Sequence, residues 1–120
     1  MKKREDKTVL ITGATGLLGM GLLKTVPKGY TILPSYKSEF ALNKYNGFTF
    51  YKFDIAKKDE VADIFNKFKP NYVIHAASIG VVDYCEHHKD EAELVNIEGT
   101  KNILNSCKVY GSKMIFTSSN

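Results

Sequence analysis

The stretch from Thr8 to Gly19, T-V-L-I-T-G-A-T-G-L-L-G, constrains the fold of this chain more than any other. Its three successive β-formers, Val9 to Ile11, are typical of a short strand that is buried on both faces of a sheet. Three glycines at three-residue spacing follow, and the apolar run over 17–23 predicts a packed helix after them. A strand, a glycine-rich turn and a helix in this order indicate the opening of a dinucleotide-binding unit.

The physical basis of such a site is the start of the helix. The first amides of a helix have no partners within it, and the aligned peptide dipoles leave partial positive charge there. Gly13 would permit a tight turn, Gly16 would let the backbone approach a pyrophosphate, and Gly19 would let helix and strand pack closely. We therefore expect the amides from Ala14 to Leu18 to hold a diphosphate. The alternative is purely structural, because glycines also collect in turns and at helix ends, and this G-x-x-G-x-x-G spacing differs from G-x-G-x-x-G.

Length and composition indicate one ordinary globular domain. The chain has 120 residues, of which 43% are hydrophobic and 25% charged, as in soluble proteins generally. No apolar stretch approaches the roughly 18 residues that a membrane span needs, and the charged start, Met1 to Lys7, lacks the apolar region of a signal peptide. Cys85 and Cys107 are far apart and are expected to be reduced thiols. We expect a cytoplasmic protein with no membrane partner.

The charges of the chain favour neither nucleic acid nor a metal as a partner. The 17 Lys and Arg against 13 Asp and Glu make a net charge of +4, but the lysines are spread along the whole chain with no basic stripe among aromatics. A solvated, mildly basic surface explains them. The cluster Cys85-Glu-His-His88 has no second cluster at a spacing that would complete a tetrahedral site. We therefore expect no bound metal and no nucleic acid.

The segment after the second predicted strand indicates which dinucleotide the unit would take. The run Tyr30 to Leu33 predicts that strand, which should end at Pro34 because proline cannot continue a ladder. Residues that follow this strand meet the adenosine ribose, where a carboxylate would hold the 2′-hydroxyl of NAD. This chain has the run Ser35-Tyr36-Lys37 instead, and hydroxyls with a cation suit the 2′-phosphate of NADP. NAD stays open because Glu39 lies only slightly later, and a polar loop without a ligand would look the same.

A carboxylate follows the third predicted strand. The aromatic-rich run Phe48 to Phe53 predicts that strand, and Asp54-Ile55 comes directly after it. A carboxylate just beyond the carboxyl end of a strand lies where open α/β sheets bind ligands, and there it would accept a hydrogen bond from the adenine amino group. The alternative role is to cap the next helix, which acids in the first turn and apolar residues at helical spacing predict over Asp59 to Phe68.

Small residues follow the fourth predicted strand. The run Tyr72 to His75 predicts that strand, and Ala76-Ala77-Ser78 after it would let a flat ligand lie against the backbone. His75 lies among apolar neighbours near the strand end. It is therefore interpreted as a core histidine whose ring nitrogens are satisfied, with a catalytic role as the alternative.

The remaining pattern completes an α/β fold. A long helix is predicted from about Asp90 to Val109, in which Asn96 is either exposed or directed at a ligand and Gly99 could allow close approach. The run Lys113 to Ser119 predicts the fifth strand with a hydroxyl-rich exit. Strand and helix alternate throughout, which predicts a Rossmann-type, doubly wound parallel sheet with strand order 3-2-1-4-5 and right-handed crossovers.

Five pieces of the sequence together are more specific than any one of them. They are Thr12-Gly-Ala-Thr-Gly-Leu-Leu-Gly19, Phe53-Asp-Ile55, His75-Ala-Ala-Ser78, Asn96-Ile-Glu-Gly-Thr100 and Ile115-Phe-Thr-Ser-Ser119. In this order and spacing they cover nearly all of the chain, which resembles the first half of an extended short-chain dehydrogenase/reductase. The segment Val82-Asp-Tyr-Cys-Glu86, with Glu91 to Leu104 after it, most resembles the dTDP-4-dehydrorhamnose reductase branch of that family.

The resemblance implies an NADP-dependent reductase of a 4-keto nucleotide sugar, with NAD as the alternative cofactor. It implies that the glycines, Thr15 and Leu17-Leu18 hold the pyrophosphate, and that Asp54 and Ile55 flank the adenine. Further cofactor contacts are implied for Ser35, Tyr36, Lys37, Ala76, Ala77, Ser78, Asn96, Thr117 and Ser118. Ser119 matches the catalytic Ser/Thr of the family, which hydrogen-bonds the reacting carbonyl or hydroxyl.

One element of the family is absent from this sequence. The family's proton donor is a tyrosine followed four residues later by a lysine, and none of the 7 tyrosines has a lysine at that position. In the family that pair and the sugar-binding region lie beyond the fifth strand, where this sequence ends at Asn120. We therefore expect residues 1–120 to be the NAD(P)-binding N-terminal part of a longer enzyme, inactive alone, whose full-length form could be a homodimer.

Three alternative functions stay open on the sequence. The first is an epimerase or dehydratase of nucleotide sugars on the same scaffold. The second is a non-catalytic dinucleotide-binding subunit with a regulatory role, which the absence of Tyr-x-x-x-Lys downstream would support. The third is a basic nucleic-acid-binding module, whose binding would fall steeply with salt and would not compete with a cofactor.

Overall fold

A computed structural model describes residues 7–14, 17–37, 44–45, 47–76 and 89–116 of the chain. Strands and helices alternate along these residues, as the sequence predicts. The elements are β1 (Lys7–Thr12), α1 (Leu17–Leu22), β2 (Tyr30–Tyr36), β3 (Lys44–Tyr45), β4 (Phe48–Thr49), β5 (Tyr51–Lys52), α2 (Lys58–Phe68), β6 (Tyr72–His75), α3 (Lys89–Tyr110) and β7 (Lys113–Phe116).

Five of the described strands form one parallel sheet. Its order is β5-β2-β1-β6-β7, and each neighbouring pair runs parallel. Because β5, β6 and β7 belong to the third, fourth and fifth predicted strands, this is the predicted order 3-2-1-4-5, and the Rossmann-type fold is confirmed. Strands are added first on one side of β1 and then on the other, so the order reverses between β1 and β6. The short strands β3 and β4 pair separately, as an antiparallel ribbon.

Two apolar clusters, one on each face of the sheet, form the core. Successive strand residues point to opposite faces, so Leu10 of β1 contributes to one cluster while Val9 and Ile11 contribute to the other. From α2 and α3 the first cluster receives Val61, Phe65, Ile103 and Cys107. The second includes Ala14, Met20, Leu22, Leu23 and Phe50. Helices therefore cover both faces, which makes the sheet doubly wound.

The second strand is longer than predicted. It does not end at Pro34 but continues through this buried proline to Tyr36. The carbonyl of Tyr36 faces β5, where it accepts a hydrogen bond from the Phe53 amide at 3.0 Å. Pro34 has the same orientation because it lies two residues earlier. β5 begins only at Tyr51, opposite Ser35. The missing N–H of the proline thus falls before the first residue of β5, where its absence removes no bond of that ladder.

The aromatic run predicted as a single third strand is divided between the ribbon and the main sheet. β4 takes its first two residues and β5 two later ones, with Phe50 between them. A turn at Gly47, whose φ is +80°, directs β4 back along β3. Phe50 is 5% exposed, and its ring meets the Tyr36 ring edge-on with centroids 6.5 Å apart. The prediction of one strand was wrong because an aromatic-rich pattern does not encode which partner strand each residue joins.

The two long helices agree with the sequence. α2 begins one residue before the predicted Asp59 and ends at Phe68, and α3 extends one residue beyond the predicted range at either end. After α2, Lys69 takes the left-handed conformation, with φ 45° and ψ 60°, and its N–H donates to the Phe65 carbonyl at 2.8 Å. A left-handed residue is a common way to end a helix, and it is usually glycine.

Candidate dinucleotide-binding site

The candidate site lies at the carboxyl ends of β1 and β6, where the strand order reverses. Open α/β sheets bind their ligands in the crevice at this position. Thr12 and His75 are the last residues of the two strands and lie opposite each other in the parallel register. The fold therefore brings the glycine turn that follows Thr12 and the Ala76 exit that follows His75 to the same edge of the sheet.

The glycine turn begins with Gly13 in a left-handed conformation, at φ +66°. This is the tight turn that the sequence predicts there. The next amide is already bonded, because Ala14 N–H donates to the Ser35 carbonyl at 2.8 Å. Ala14 is therefore removed from the predicted set of diphosphate donors. The described amides that remain in that set are those of Leu17 and Leu18, at the start of α1.

The helix after the turn packs against it so closely that a side chain at position 19 has no room. A Cβ built on Gly19 would lie 2.4 Å from the Cα of Ala14 and 2.7 Å from its carbonyl carbon and oxygen. These are backbone atoms, which cannot rotate away. The close approach predicted at Gly19 is present, although it is made to the turn and not to the strand itself. We refer to it below as the Gly19–Ala14 contact.

The three residues predicted at the ribose lie in different environments. Ser35 is 2% exposed, and its hydroxyl donates to the Ile11 carbonyl at 2.9 Å. Its side chain thus joins β2 to β1 within the sheet and is not presented to a ligand. Tyr36 is half-buried against Phe50, and Lys37 is exposed just beyond the end of β2. Of the predicted ribose contacts, only Tyr36 and Lys37 therefore retain accessible side chains at this edge.

A second cation lies beside these residues and was not among the predicted contacts. Lys52 of β5 is the register partner of Tyr36 and is exposed. Adjacent strands lie about 4.8 Å apart, so Lys52 stands at the same corner of the sheet as Lys37. In the sequence Lys52 lies inside a run of aromatics and not after a strand, so its position does not indicate a ribose contact. The pairing of β5 with β2 is the signal that identifies it.

The carboxylate after β5 closes a turn. Asp54 Oδ1 accepts a hydrogen bond from the Ala56 amide at 2.9 Å, and the Asp54 amide donates to Glu60 Oε1 at 2.9 Å. The N-cap position of α2 is Lys57, which makes no side-chain capping bond. Asp54 is therefore not the cap of α2, which was the alternative role. Its second oxygen, Oδ2, makes no hydrogen bond with any residue that the structure describes.

The side of the site formed by Ile55 is closed by α3. Ile55 is 5% exposed, and a Cβ on Gly99 would lie 2.4 Å from its Cδ1 atom. Asn102 donates through Nδ2 to the Ile55 carbonyl at 2.8 Å. The close approach suggested for Gly99 is thus present, and its partner is Ile55. Asn102 was not predicted, although its spacing of three residues from Gly99 places both on one side of the helix.

His75 joins three elements below the site. It is 3% exposed, its Nδ1 lies 2.8 Å from Thr12 Oγ1, and its Nε2 lies 3.1 Å from Thr100 Oγ1 of α3. The interpretation as a buried histidine with satisfied nitrogens is confirmed. Burial lowers the pKa of the His75 imidazole because the charged ring would lose its hydration. The Ala76 amide donates to both the carbonyl and the hydroxyl oxygen of Thr12, at 3.2 and 3.1 Å.

Several predicted contacts lie outside the described residues. They are Thr15, Gly16, Ala77, Ser78, Thr117, Ser118 and the catalytic candidate Ser119, together with the cluster Cys85 to His88. For Leu17, Leu18 and Asn96 the structure describes the helical backbone. Asn96 lies in α3, one turn before Thr100, at the position that the sequence predicts.

Two observations concern the membrane and metals. Among the residues that the structure describes, no helix combines the length and the apolar character of a membrane span. Within the same ranges, no group of three or more His, Cys, Asp and Glu side chains is placed to hold a metal ion.

The chain is similar to known proteins over nearly its whole length. The family model described as the RmlD substrate binding domain matches residues 7–120. The dTDP-4-dehydrorhamnose reductase of Aggregatibacter actinomycetemcomitans is 35% identical over 112 residues, which make up 92% of this chain and 34% of that protein.

Solved structures of NAD- and NADP-bound enzymes are among those that share the fold. UDP-glucose 4-epimerase from Thermus thermophilus, a complex with NAD, superposes with a TM-score of 0.78 at 28% identity, over 93% of this chain and 37% of its own. dTDP-4-dehydrorhamnose reductase from Bacillus anthracis str. Ames, in complex with NADP, superposes with a TM-score of 0.68 at 27% identity, over 91% of this chain and 35% of its own. The chain thus spans about a third of the length of these relatives. With nearly its whole length matched by the family model, the chain belongs to the RmlD substrate binding domain family.

Proposed function

We propose that this chain is the cofactor-binding N-terminal part of an NADP-dependent reductase of a 4-keto nucleotide sugar. The observation that carries the proposal is the Gly19–Ala14 contact, which packs α1 closely against the glycine turn. That turn begins at the left-handed Gly13, directly after β1 and beside the end of its partner β6. In this arrangement the free amides at the start of α1 would face the crevice, where they would bind a diphosphate. The reductase relatives support the reaction class. Although the family is named for substrate binding, these features are those of a dinucleotide site.

The proposal assigns a contact to each part of the adenosine half of the cofactor. The amides of Leu17-Leu18, with those of Thr15-Gly16, would hold the pyrophosphate. Asp54 would accept a hydrogen bond from the adenine amino group through Oδ2. Ile55 is 5% exposed and packs under Gly99, so its side chain is not proposed as an adenine contact. Lys37, beside Tyr36, would pair with the 2′-phosphate. The exposed Lys52 adds positive charge at the same corner.

The nicotinamide half would lie toward β6 and β7. When bound, the nicotinamide supplies the hydride. Proposed contacts there are Ala76, Ala77, Ser78, Asn96, Thr117 and Ser118. The hydroxyl of Ser119 would donate a hydrogen bond to the keto oxygen of the sugar, where one such donor lowers the barrier by about 3 kcal/mol. The tyrosine that donates the proton is expected in the remainder of the full-length protein.

Binding of the two dinucleotides tests the proposal. The full chain is titrated with NADPH and, separately, with NADH, and the fluorescence of the reduced nicotinamide is followed. We expect saturable binding of both, with a lower Kd for NADPH. Binding of neither dinucleotide would overturn the proposal, and markedly tighter binding of NADH would overturn the assignment of NADP.

An epimerase is the second candidate, because the UDP-glucose 4-epimerase shares the fold at a TM-score of 0.78. An epimerase returns the hydride to the sugar without net consumption of cofactor, whereas a reductase oxidises one NADPH for each sugar reduced. The full-length protein is therefore incubated with NADPH and a 4-keto nucleotide sugar. Stoichiometric loss of NADPH supports the reductase. Binding without any turnover supports the non-catalytic subunit that the sequence leaves open.

A further inference from the structure

The buried imidazole of His75 makes none of the proposed contacts with the cofactor, yet two elements that border the site, β1 and α3, meet at its ring. We propose that His75 is a positioning residue for the dinucleotide site, which couples the glycine turn after β1 to α3. This inference rests on the proposed function, because its effect is measured as dinucleotide binding.

On one side, the ring holds the glycine turn and the exit of β6. Its Nδ1 lies 2.8 Å from the Thr12 hydroxyl oxygen, and Gly13, where the tight turn begins, follows Thr12 directly. The same threonine accepts the Ala76 amide through its carbonyl and hydroxyl oxygens. Thr12 thus fixes the first residue of each loop that borders the crevice, and the imidazole fixes the Thr12 hydroxyl. A shift of the ring would displace both loops together.

On the other side, the ring holds α3. Its Nε2 lies 3.1 Å from the Thr100 hydroxyl oxygen, and Asn96, proposed for the nicotinamide end, lies four residues earlier on the same helix. A spacing of four residues is one turn, so the two positions share a side of the helix. Asn102 fixes α3 separately against the Ile55 carbonyl, on the adenine side. Thr100 therefore links α3, through the imidazole, to the ends of β1 and β6.

Conservative replacements separate the two sides of the ring. An asparagine amide overlays the Nδ1 position of histidine and a glutamine amide the Nε2 position, so His75→Asn can keep the contact with Thr12 and His75→Gln the contact with Thr100. Thr100→Val removes the far hydroxyl and keeps the shape of the side chain. The matched control is Ser112→Ala, which removes a hydroxyl that donates to the Pro70 carbonyl at 2.6 Å, at the amino ends of β6 and β7.

The full chain of each variant is titrated with NADPH at a temperature where circular dichroism shows it folded. We expect His75→Ala to raise Kd about tenfold, which is within the usual range of coupling between sites, and Thr100→Val to raise it severalfold. The double variant should bind no more weakly than His75→Ala, because Thr100 acts through the ring. His75→Asn and His75→Gln should each recover part of the lost affinity. Ser112→Ala should lower the free energy of unfolding and leave Kd unchanged.

Three results would overturn the inference while leaving the proposed function intact. They are additive losses in the double variant, no recovery by either amide replacement, and variants at His75 and Thr100 that lose stability with an unchanged Kd, as the Ser112 control does. A wild-type chain that binds neither NADPH nor NADH would overturn the proposed function itself.

Discussion

At the scale of single residues, two glycines of α1 have opposite requirements. Gly19 lies against the backbone of Ala14, so an added methyl group would meet atoms that cannot rotate away. Gly21 is exposed, and nothing lies within 4 Å of the position that its Cβ would take. Alanine favours the helix at both positions. Alanine variants at the two positions therefore distinguish the effect of packing against the glycine turn from the effect of helix propensity on stability.

We expect Gly19→Ala to lower the free energy of unfolding by about 1–3 kcal/mol, the usual cost of overpacking. Gly21→Ala should raise it by up to about 1 kcal/mol, because alanine restricts the unfolded chain more than glycine does. Urea denaturation of the two variants and the wild-type chain measures both effects. Equal effects at the two positions would show that the Gly19–Ala14 contact does not require glycine.

The charge of Lys37 sets the expected preference between the two dinucleotides. Lys37→Gln should raise the Kd for NADPH by about 10- to 100-fold, since a charge-assisted hydrogen bond contributes roughly 1.5–3 kcal/mol. The Kd for NADH should not change, because NADH has no 2′-phosphate. Lys113→Gln, at the amino end of β7, is the matched control and should alter neither value. If Lys37→Gln weakened both dinucleotides equally, the charge would not recognise the 2′-phosphate.

Other single-residue predictions failed because they depend on side-chain direction. The run Ser35-Tyr36-Lys37 was predicted to follow β2, but Ser35 and Tyr36 lie within the strand, and the serine faces inward and bonds the Ile11 carbonyl. Which residue of a run faces inward depends on the exact register of the strand, and the sequence alone does not define it. The Ala14 amide was counted as a diphosphate donor for a different reason: its acceptor is the backbone carbonyl of Ser35 on another strand, and the local sequence does not specify that pairing.

At the scale of elements, α2 ends on a residue in an unfavourable conformation. Lys69 has φ 45°, and the left-handed region costs a residue with a side chain roughly 1–2 kcal/mol. The hydrogen bond that ends the helix is donated by the backbone N–H of Lys69 to the Phe65 carbonyl. Any residue with a backbone N–H can make it. Glycine at this position would keep that bond and remove the steric cost.

Lys69→Gly should therefore raise the free energy of unfolding by about 0.5–1 kcal/mol, after allowance for the greater freedom of glycine in the unfolded chain. Lys67→Gly, in the last turn of α2, should lower it by about 1 kcal/mol, because glycine is unfavourable within a helix. Thermal unfolding followed by circular dichroism gives both shifts in Tm. A Lys69→Gly chain that melts below the wild type would contradict the account of this helix end.

The limits of sequence prediction are clearest in β2 and in the aromatic run after it. The alternation of strands and helices and the glycine turn were enough to predict the strand order. Both are visible as local patterns in the sequence, and general rules of connection then determine the order. The passage of Pro34 through β2 was not predictable, since it depends on where β5 begins. The break at Phe50 depends likewise on partner choice, because β4 pairs with β3 just across the turn at Gly47 whereas β5 joins β2 in the main sheet. Local propensity does not specify these partners.

At the scale of the whole molecule, the buried imidazole makes stability depend on pH. The pKa of His75 is lowered in the folded state, whereas an unfolded histidine titrates near about 6.5. Between these two values the unfolded chain binds more protons than the folded chain. The free energy of unfolding should therefore fall as the pH decreases below about 6.5, and this contribution should level off below the folded pKa.

The comparison that isolates this effect is between the wild-type chain and His75→Gln, which has no imidazole at this position. Urea unfolding of both is measured between about pH 5 and 8, the range in which histidine changes its charge. The wild-type chain should lose stability relative to the variant as the pH falls. A difference in the free energy of unfolding that stays constant across the range would show that His75 does not titrate on unfolding.

The hydrogen bond from Ala14 to the Ser35 carbonyl has a consequence for ligand selection. It joins the turn proposed to face the diphosphate directly to the strand end proposed to face the ribose. A molecule that carries both groups meets two contacts already held at a fixed separation, so little protein freedom is lost when it binds. We therefore expect adenosine diphosphate units to be preferred over adenosine or pyrophosphate offered separately. The fixed distance between the two strand ends would select ligands whose ribose and diphosphate are separated by the same distance.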